Sequence, residues 1–355
     1  MPWEAALTKA SRTRFIQTGA ASGILAATGV PALAAPPPET DMSRYYDAAK
    51  KEGSLTWWTA HFALDDAQAV ANAFMAKYPG VQVNFIRQTA QVIYQRLQQN
   101  LKSGINDVDV FASTDEAHYV TLKKANALAV YVPGNYDKIP PLFRNIDPDG
   151  TYHTAIMTFI VINYNDQKIT PAPRRWPQLN DPKYRGQITV GHPGFSGYVG
   201  NWVVAMNELY GWEYFKSLKD QDPKINRSIF DVVTDILSGE RQLGASTDGF
   251  ALQKRAGGGA INIAYPEDDT VLAIGPMAVM KNAPHPAAAR LFATFTYSKE
   301  FSDLLAKRHL YPLRYDVAPA NGLTYNKFKW TRMSVDKLLT GVPEVIAKWR
   351  ETFGV

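Results

Sequence analysis

The stretch GSLTWWTAHFALDDAQAVANAFMAKYPGVQVNFI, residues 53–86, reads as strand, helix and strand, and sets the class of the chain. Leu55-Thr56-Trp57-Trp58-Thr59 is rich in β-formers, and a loop at Ala60-His61 follows it. Asp65 or Asp66 can cap the next helix, whose apolar Val70, Phe74 and Tyr78 repeat at helical spacing until Pro79-Gly80 stops it. Val81 to Ile86 is the second strand. Upstream, Tyr45 to Lys51 predicts a short helix ended by Gly53. Downstream, Ile93, Leu97 and Leu101 mark a helix before the strand Val108–Ala112. Strands alternating with helices predict an α/β fold with a parallel sheet covered on both faces.

The pattern restarts after the turn cluster Asp147-Pro148-Asp149-Gly150. Phe159–Tyr164 and Gln187–Val190 read as strands, and a glycine-rich turn then leads into a helix from Ser196 to Tyr210. Further helices are expected at 212–219, 228–238, 287–297 and 299–308, with short strands at 243–245, 261–265 and 273–280 between them. A single core stops growing at about 250–300 residues, so two lobes are expected.

Residues 1–34 read as an export signal. Lys9, Arg12 and Arg14 precede a weakly apolar run, Ile16 to Ala27, and Ala32-Leu33-Ala34 offers a cleavage site before Pro36-Pro37-Pro38. Ser11-Arg12-Thr13-Arg14-Phe15-Ile16-Gln17 resembles a twin-arginine signal with Thr13 in the second arginine's place, which leaves the export route open. The run is too short for a membrane span of about 20 apolar residues. With no cysteine there is neither a disulfide framework nor a lipidation site, and the expected location is the periplasm of a Gram-negative bacterium. Residues 1–34 hold three of the 38 basic and one of the 33 acidic residues, leaving a nearly balanced 35 against 32. Because those charges are scattered, nucleic acid is not an expected partner.

Several segments together resemble the iron(III)-type family of periplasmic solute-binding proteins that serve ABC importers. They are Ala48-Ala49-Lys50-Lys51-Glu52-Gly53, Asp107-Val108-Asp109-Val110-Phe111 with Asn126-Ala127-Leu128, Asn180 to Gly186, Tyr265-Pro266-Glu267-Asp268, and Ala283-Pro284-His285-Pro286 leading into Ala287–Phe292. The resemblance implies the type II binding-protein fold: lobes at 41–158 with 272–312 and at 159–271 with 313–355, a hinge, and a ligand cleft between them. It also implies a non-catalytic receptor, expected to be a monomer, that passes a small anionic ligand to an inner-membrane permease.

Each candidate site residue has a structural alternative. Gly191 to Tyr198 is a strand, a turn and a helix start, where Ser196, Gly197 and Tyr198 can present amide N–H groups and a hydroxyl to a carboxylate or phosph(on)ate; alternatively Ser196 simply caps the helix. Arg308 matches a family arginine near the anion, or is a solvated charge. His61 and either Trp57 or Trp58 can face the cleft from the first strand, the other tryptophan being core. Thr114 and Asp115 can touch ligand or cap the following helix. Glu267 and Asp268 offer carboxylates to an amine or metal, or form a solvated turn; Tyr265 precedes them.

Ferric-binding members carry two adjacent tyrosines where this chain has Asp248-Gly249-Phe250, so iron binding by that chemistry is not expected, although Asp248 and Phe250 stay candidates for ligand contact. A ferric binder with other donors remains an alternative. No cofactor or metal set is expected. A secreted hydrolase is disfavoured because Gly194-Phe195-Ser196-Gly197-Tyr198 lacks the last glycine of a nucleophile elbow, and the six histidines form no zinc-binding spacing.

Overall fold

The computed structural model describes residues 42–322 and 324–355, so the signal peptide and the Pro36–Pro38 segment expected from sequence lie outside the described residues. The first group of elements is α1 (Met42–Glu52), β1 (Ser54–Thr59), α2 (Leu64–Lys77), β2 (Gln82–Arg87), α3 (Ala90–Lys102), β3 (Val110–Ala112) and α4 (Glu116–Lys124). Strand β1 pairs parallel with β2 and with β3, as the alternating pattern predicts. α2 starts after Ala63, one turn earlier than a cap at Asp66 requires, which frees that carboxylate for another partner.

β4 (His153–Tyr164) leads to the second group: β5 (Ile188–Gly191), α5 (Gly197–Tyr210), α6 (Glu213–Lys219), β6 (Lys224–Asn226), α7 (Asp231–Ser238), β7 (Leu243–Thr247), α8 (Asp248–Ala256) and β8 (Asn262–Ala264). β9 (Thr270–Val279) returns to the first group, followed by α9 (Pro286–Phe295) and α10 (Lys299–Lys307). The chain then crosses again to β10 (Trp330–Thr331) and α11 (Val335–Phe353).

All ten strands form one sheet, ordered β2-β1-β3-β9-β4-β7-β5-β6, with β10 on β9 and β8 on β4. The expectation of a parallel sheet holds within each group and fails between them. β9 runs antiparallel to β3 and β4, and β4 antiparallel to β7, because a chain that crosses between lobes and comes back must reverse direction. β4 starts at His153, not Phe159. Its first half pairs with the end of β9 beside β3, and its second half with β7, so the expected lobe boundaries at 158/159 and 271/272 fall inside these two strands. A register shift between Thr154 and Ile156 interrupts the β4–β9 ladder.

The helix α11 was not expected from sequence. It packs mainly on α5 of the second group and α4 of the first, with a smaller contact to α6.

Candidate functional site

A narrow cleft of about 30 Å³, open to solvent, lies where the two groups meet. The β1–α2 turn brings His61, Phe62 and Ala63, and α2 brings Asp66; β4 supplies Ile156 to Thr158 from the floor. The opposite wall is Tyr198 at the start of α5, Phe230 before α7, and Thr247, Gly249 and Phe250 at the β7–α8 junction. Leu305, Leu310 and Tyr311 close the side. This is the carboxyl end of β1 and β7, where α/β sheets leave a crevice.

Most polar side chains of the cleft already have partners. His61 Nε2 lies 3.2 Å from the Ser113 carbonyl and 3.0 Å from that of Pro276, so it carries the proton and donates. Burial pushes the His61 pKa down to about 4 despite these two carbonyls. Asp66, 2% exposed, accepts from Arg308 Nε at 2.5 Å and Gln253 Nε2 at 2.9 Å. Asp248 accepts from the Thr158 hydroxyl, the Phe159 and Gly249 amides and the Tyr265 hydroxyl. Burial outweighs those donors and raises its carboxyl above the usual range.

Two hydroxyls are different. Tyr198 Oη and Thr247 Oγ1 have no partner among the described residues, on side chains whose residues are 2% and 3% exposed. Burial raises the Tyr198 phenol, with the nearby Asp248 charge adding to the effect, so it stays protonated and can donate. An unmade bond on a buried hydroxyl costs about 1–3 kcal/mol, which makes both groups ready donors to a bound acceptor.

The candidates expected from sequence fall into three sets. His61, Tyr198 and Phe250 line the cleft, with Asp248 directly behind Thr247 and Gly249, Tyr265 one layer further back, and Arg308 on its rim through Asp66. Thr114, Asp115, Ser196 and Gly197 form a separate contact between the groups. Asp115 caps α4 through the Ala117 amide and accepts from Gln91 Nε2, while Ser196 caps α5 through the Val199 amide. The Gln91 amide donates to the Phe195 carbonyl across the gap. A Cβ on Gly197 would stand 2.6 Å from Asp115 N and from the Thr114 carbonyl carbon. The turn expected to form an anion nest is thus pressed against backbone of the other group.

The third set does not reach the cleft. Trp57 is core, packed on Phe62, Phe85 and Phe292, while Trp58 belongs to a different cluster on the other face of β1, so neither tryptophan lines the cleft. Glu267 pairs with Arg174 at 2.5 Å, and Asp268 accepts from the Trp176 amide and the Tyr210 hydroxyl. Their turn is anchored to the 174–176 segment and the far end of α5, which carries both carboxylates away from the ligand side.

Sequence reasoning missed Phe62, Asp66, Phe230, Thr247 and Arg87. Arg87 Nε donates to the Phe62 carbonyl at 2.8 Å, and its guanidinium sits 5.3 Å from the centre of the Phe230 ring, so a cation joins two residues that line the cleft from opposite walls. The position of Thr247 at the end of a strand and before a helix was the available signal.

A search of curated proteins finds a Haemophilus influenzae protein 23% identical over 68% of this chain and 72% of its own length. Among solved structures, the periplasmic binding protein AfuA from Actinobacillus pleuropneumoniae with fructose 6-phosphate bound matches with a TM-score of 0.77 and 20% identity, covering 85% of this chain and 99% of that one. Iron-bound HitA from Pseudomonas aeruginosa gives a TM-score of 0.70 at 20% identity, over 84% and 99%. These likenesses establish the two-lobed binding-protein fold. A profile described as bacterial extracellular solute-binding protein matches residues 107–334, well over half of the sequence, and on that match the chain belongs to the bacterial extracellular solute-binding protein family.

Proposed function

We propose that this solute-binding protein captures a small organic anion, a carboxylate, phosphonate or sugar phosphate, between lobes divided within β4 and β9, and presents it to an ABC permease from the periplasm. The observation that carries the reading is the pair of unpartnered buried donors, Tyr198 Oη and Thr247 Oγ1, on the same wall of the interlobe cleft. Arg87, against Phe62 and Phe230, adds positive charge beside the cleft. The sugar phosphate bound to AfuA is an anion of the proposed kind. The reading is of a binder: His61 Nε2 is committed to two backbone carbonyls, and Ser196, the nearest match to a hydrolase nucleophile, lies outside the cleft lining and caps its helix.

Thermal-shift screening of the purified protein tests the proposal. A ligand bound only by the native state adds RT ln(1 + [L]/Kd), about 2.7 kcal/mol at a hundredfold excess over Kd, and so raises Tm clearly. Tyr198→Phe and Thr247→Val should each weaken the hit by about tenfold, by removing one hydrogen bond to a charged group worth about 1.5 kcal/mol. Stabilisation by cations or neutral solutes alone would refute the anionic reading.

A further inference from the structure

Resting on the anionic reading, we infer that the solute carries an apolar body, aromatic or branched aliphatic, behind a single carboxylate- or phosphonate-sized head. The argument is one of hydrogen-bonding capacity. A polyhydroxylated ligand needs a donor or acceptor for each hydroxyl, because a polar group buried without one is costly. In this cleft the Nε2 of His61 is spent on two backbone carbonyls, Asp66 Oδ1 on Arg308 and Gln253, and the Thr158 hydroxyl on Asp248. Among the described residues Tyr198 and Thr247 are the cleft hydroxyls without a partner, both in one lobe, which suits one head with two or three oxygens.

Apart from the Tyr311 hydroxyl, the rest of the lining is hydrocarbon. Phe62 faces the cleft from one lobe, Phe230 and Phe250 from the other, with Ile156 and Met157 as floor and Leu310 at the side. The Phe230 and Phe250 rings are 5.0 Å apart and nearly edge to face, which braces them as a wall. The Arg87 guanidinium sits 5.3 Å from the centre of the Phe230 ring, so a cation backs the apolar wall. The cleft is narrow here, about 30 Å³, so the lobes must part to admit a solute. Apolar surface in small-molecule sites supplies affinity, and a few placed polar groups supply orientation.

The test is isothermal titration with phenylpyruvate and 4-methyl-2-oxopentanoate as apolar-bodied probes, fructose 6-phosphate and 2-aminoethylphosphonate as polar-bodied anions, and thiamin as a cation. The expected result is that at least one apolar-bodied probe binds tenfold or more tightly than either polar-bodied anion, that Phe250→Ser removes this preference, and that Tyr198→Phe weakens all anions together. Tighter binding of fructose 6-phosphate or 2-aminoethylphosphonate overturns the apolar-body inference and leaves the anionic reading standing. Binding of thiamin with none of the anions overturns both. No heat with any probe at millimolar concentration, from protein shown folded by circular dichroism, overturns the inference as well. Phe230→Ser serves as the second variant should Phe250→Ser fail to fold.

Discussion

Gly197→Ala should weaken solute binding without unfolding the protein. The added methyl would stand 2.6 Å from Asp115 N and the Thr114 carbonyl carbon, and 2.7 Å from the Thr114 oxygen, all of it backbone that cannot rotate away. Carbon atoms need about 3.5 Å, so the start of α5 must retreat from the Thr114–Asp115 turn by about 1 Å. Forcing an extra methyl into a packed contact costs about 1–3 kcal/mol. That cost arises only while the lobes are closed, since parting them relieves it. Alanine at the first turn of a helix carries no penalty of its own. The whole cost therefore falls on closure, and Kd should rise by about 5- to 150-fold while the far-ultraviolet spectrum of the free protein is unchanged. Isothermal titration reads the affinity, and small-angle scattering of the loaded protein should report a wider form. Gly200→Ala is the control: its methyl would meet Val342 side-chain atoms of α11 at 3.4 Å and the Pro193 carbonyl oxygen at 3.8 Å, ordinary contacts, and affinity should hold. A Gly197→Ala affinity within twofold of the parent would refute the claim that the loaded lobes touch at this glycine. Gly197→Pro cannot replace this test, because its ring would strike the same backbone.

Three further outcomes are expected. Arg332 Nη2 meets Glu116 Oε2 at 2.6 Å, linking the approach to α11 with α4, and Arg332→Ala should cost about 3–5 kcal/mol by stranding a buried carboxylate. Burial already raises the Glu116 pKa, so the variant should lose stability as pH rises through that raised value, and Glu116→Gln should restore it; a pH-independent Tm loss would contradict this. His61 binds its proton near 6.5 when unfolded and about 4 when folded, so stability is full above about 6.5 and falls by about 3 kcal/mol as pH drops to 4. Urea melts should show that slope and His61→Gln should flatten it; an equal slope in both proteins would remove His61 as its source. Ferric citrate should give no visible phenolate-to-iron band, because Gly249-Phe250 supply no oxygen donor and the Tyr198 phenol is held protonated by burial; a band lost in Tyr198→Phe would overturn this.

The first lobe was legible because its strands and helices are local: the 3.6-residue rhythm of Val70, Phe74 and Tyr78 and the β-rich Leu55–Thr59 state their own structure. α11 was overlooked because Gly341 and Pro343 interrupt it, although Leu338, Val342, Val345 and Trp349 are buried at spacings of four, three and four. The direction of β4 and β9 was beyond local reading, since only their pairing partners fix it. For the candidate site, strand and helix ends led to the cleft region, hence His61, Tyr198 and Asp248. Side chains there were harder to assign: Asp66 resembled a cap and Glu267–Asp268 a cleft loop, and what decided each was a partner distant in sequence, Arg308 for one and Arg174 with Tyr210 for the other.

The β4–β9 ladder restricts the kind of movement available to the two halves of the molecule. Sliding one strand along the other by a residue would turn Met157 and Thr158 to opposite faces, so translation is blocked by the pleat itself. Twist remains, and the irregularity between Thr154 and Ile156, beside the cleft floor, is the softest place for it. A receptor limited to one rotational coordinate has few intermediate shapes to offer, which would let a membrane partner distinguish a filled receptor from an empty one by geometry alone, whatever the solute.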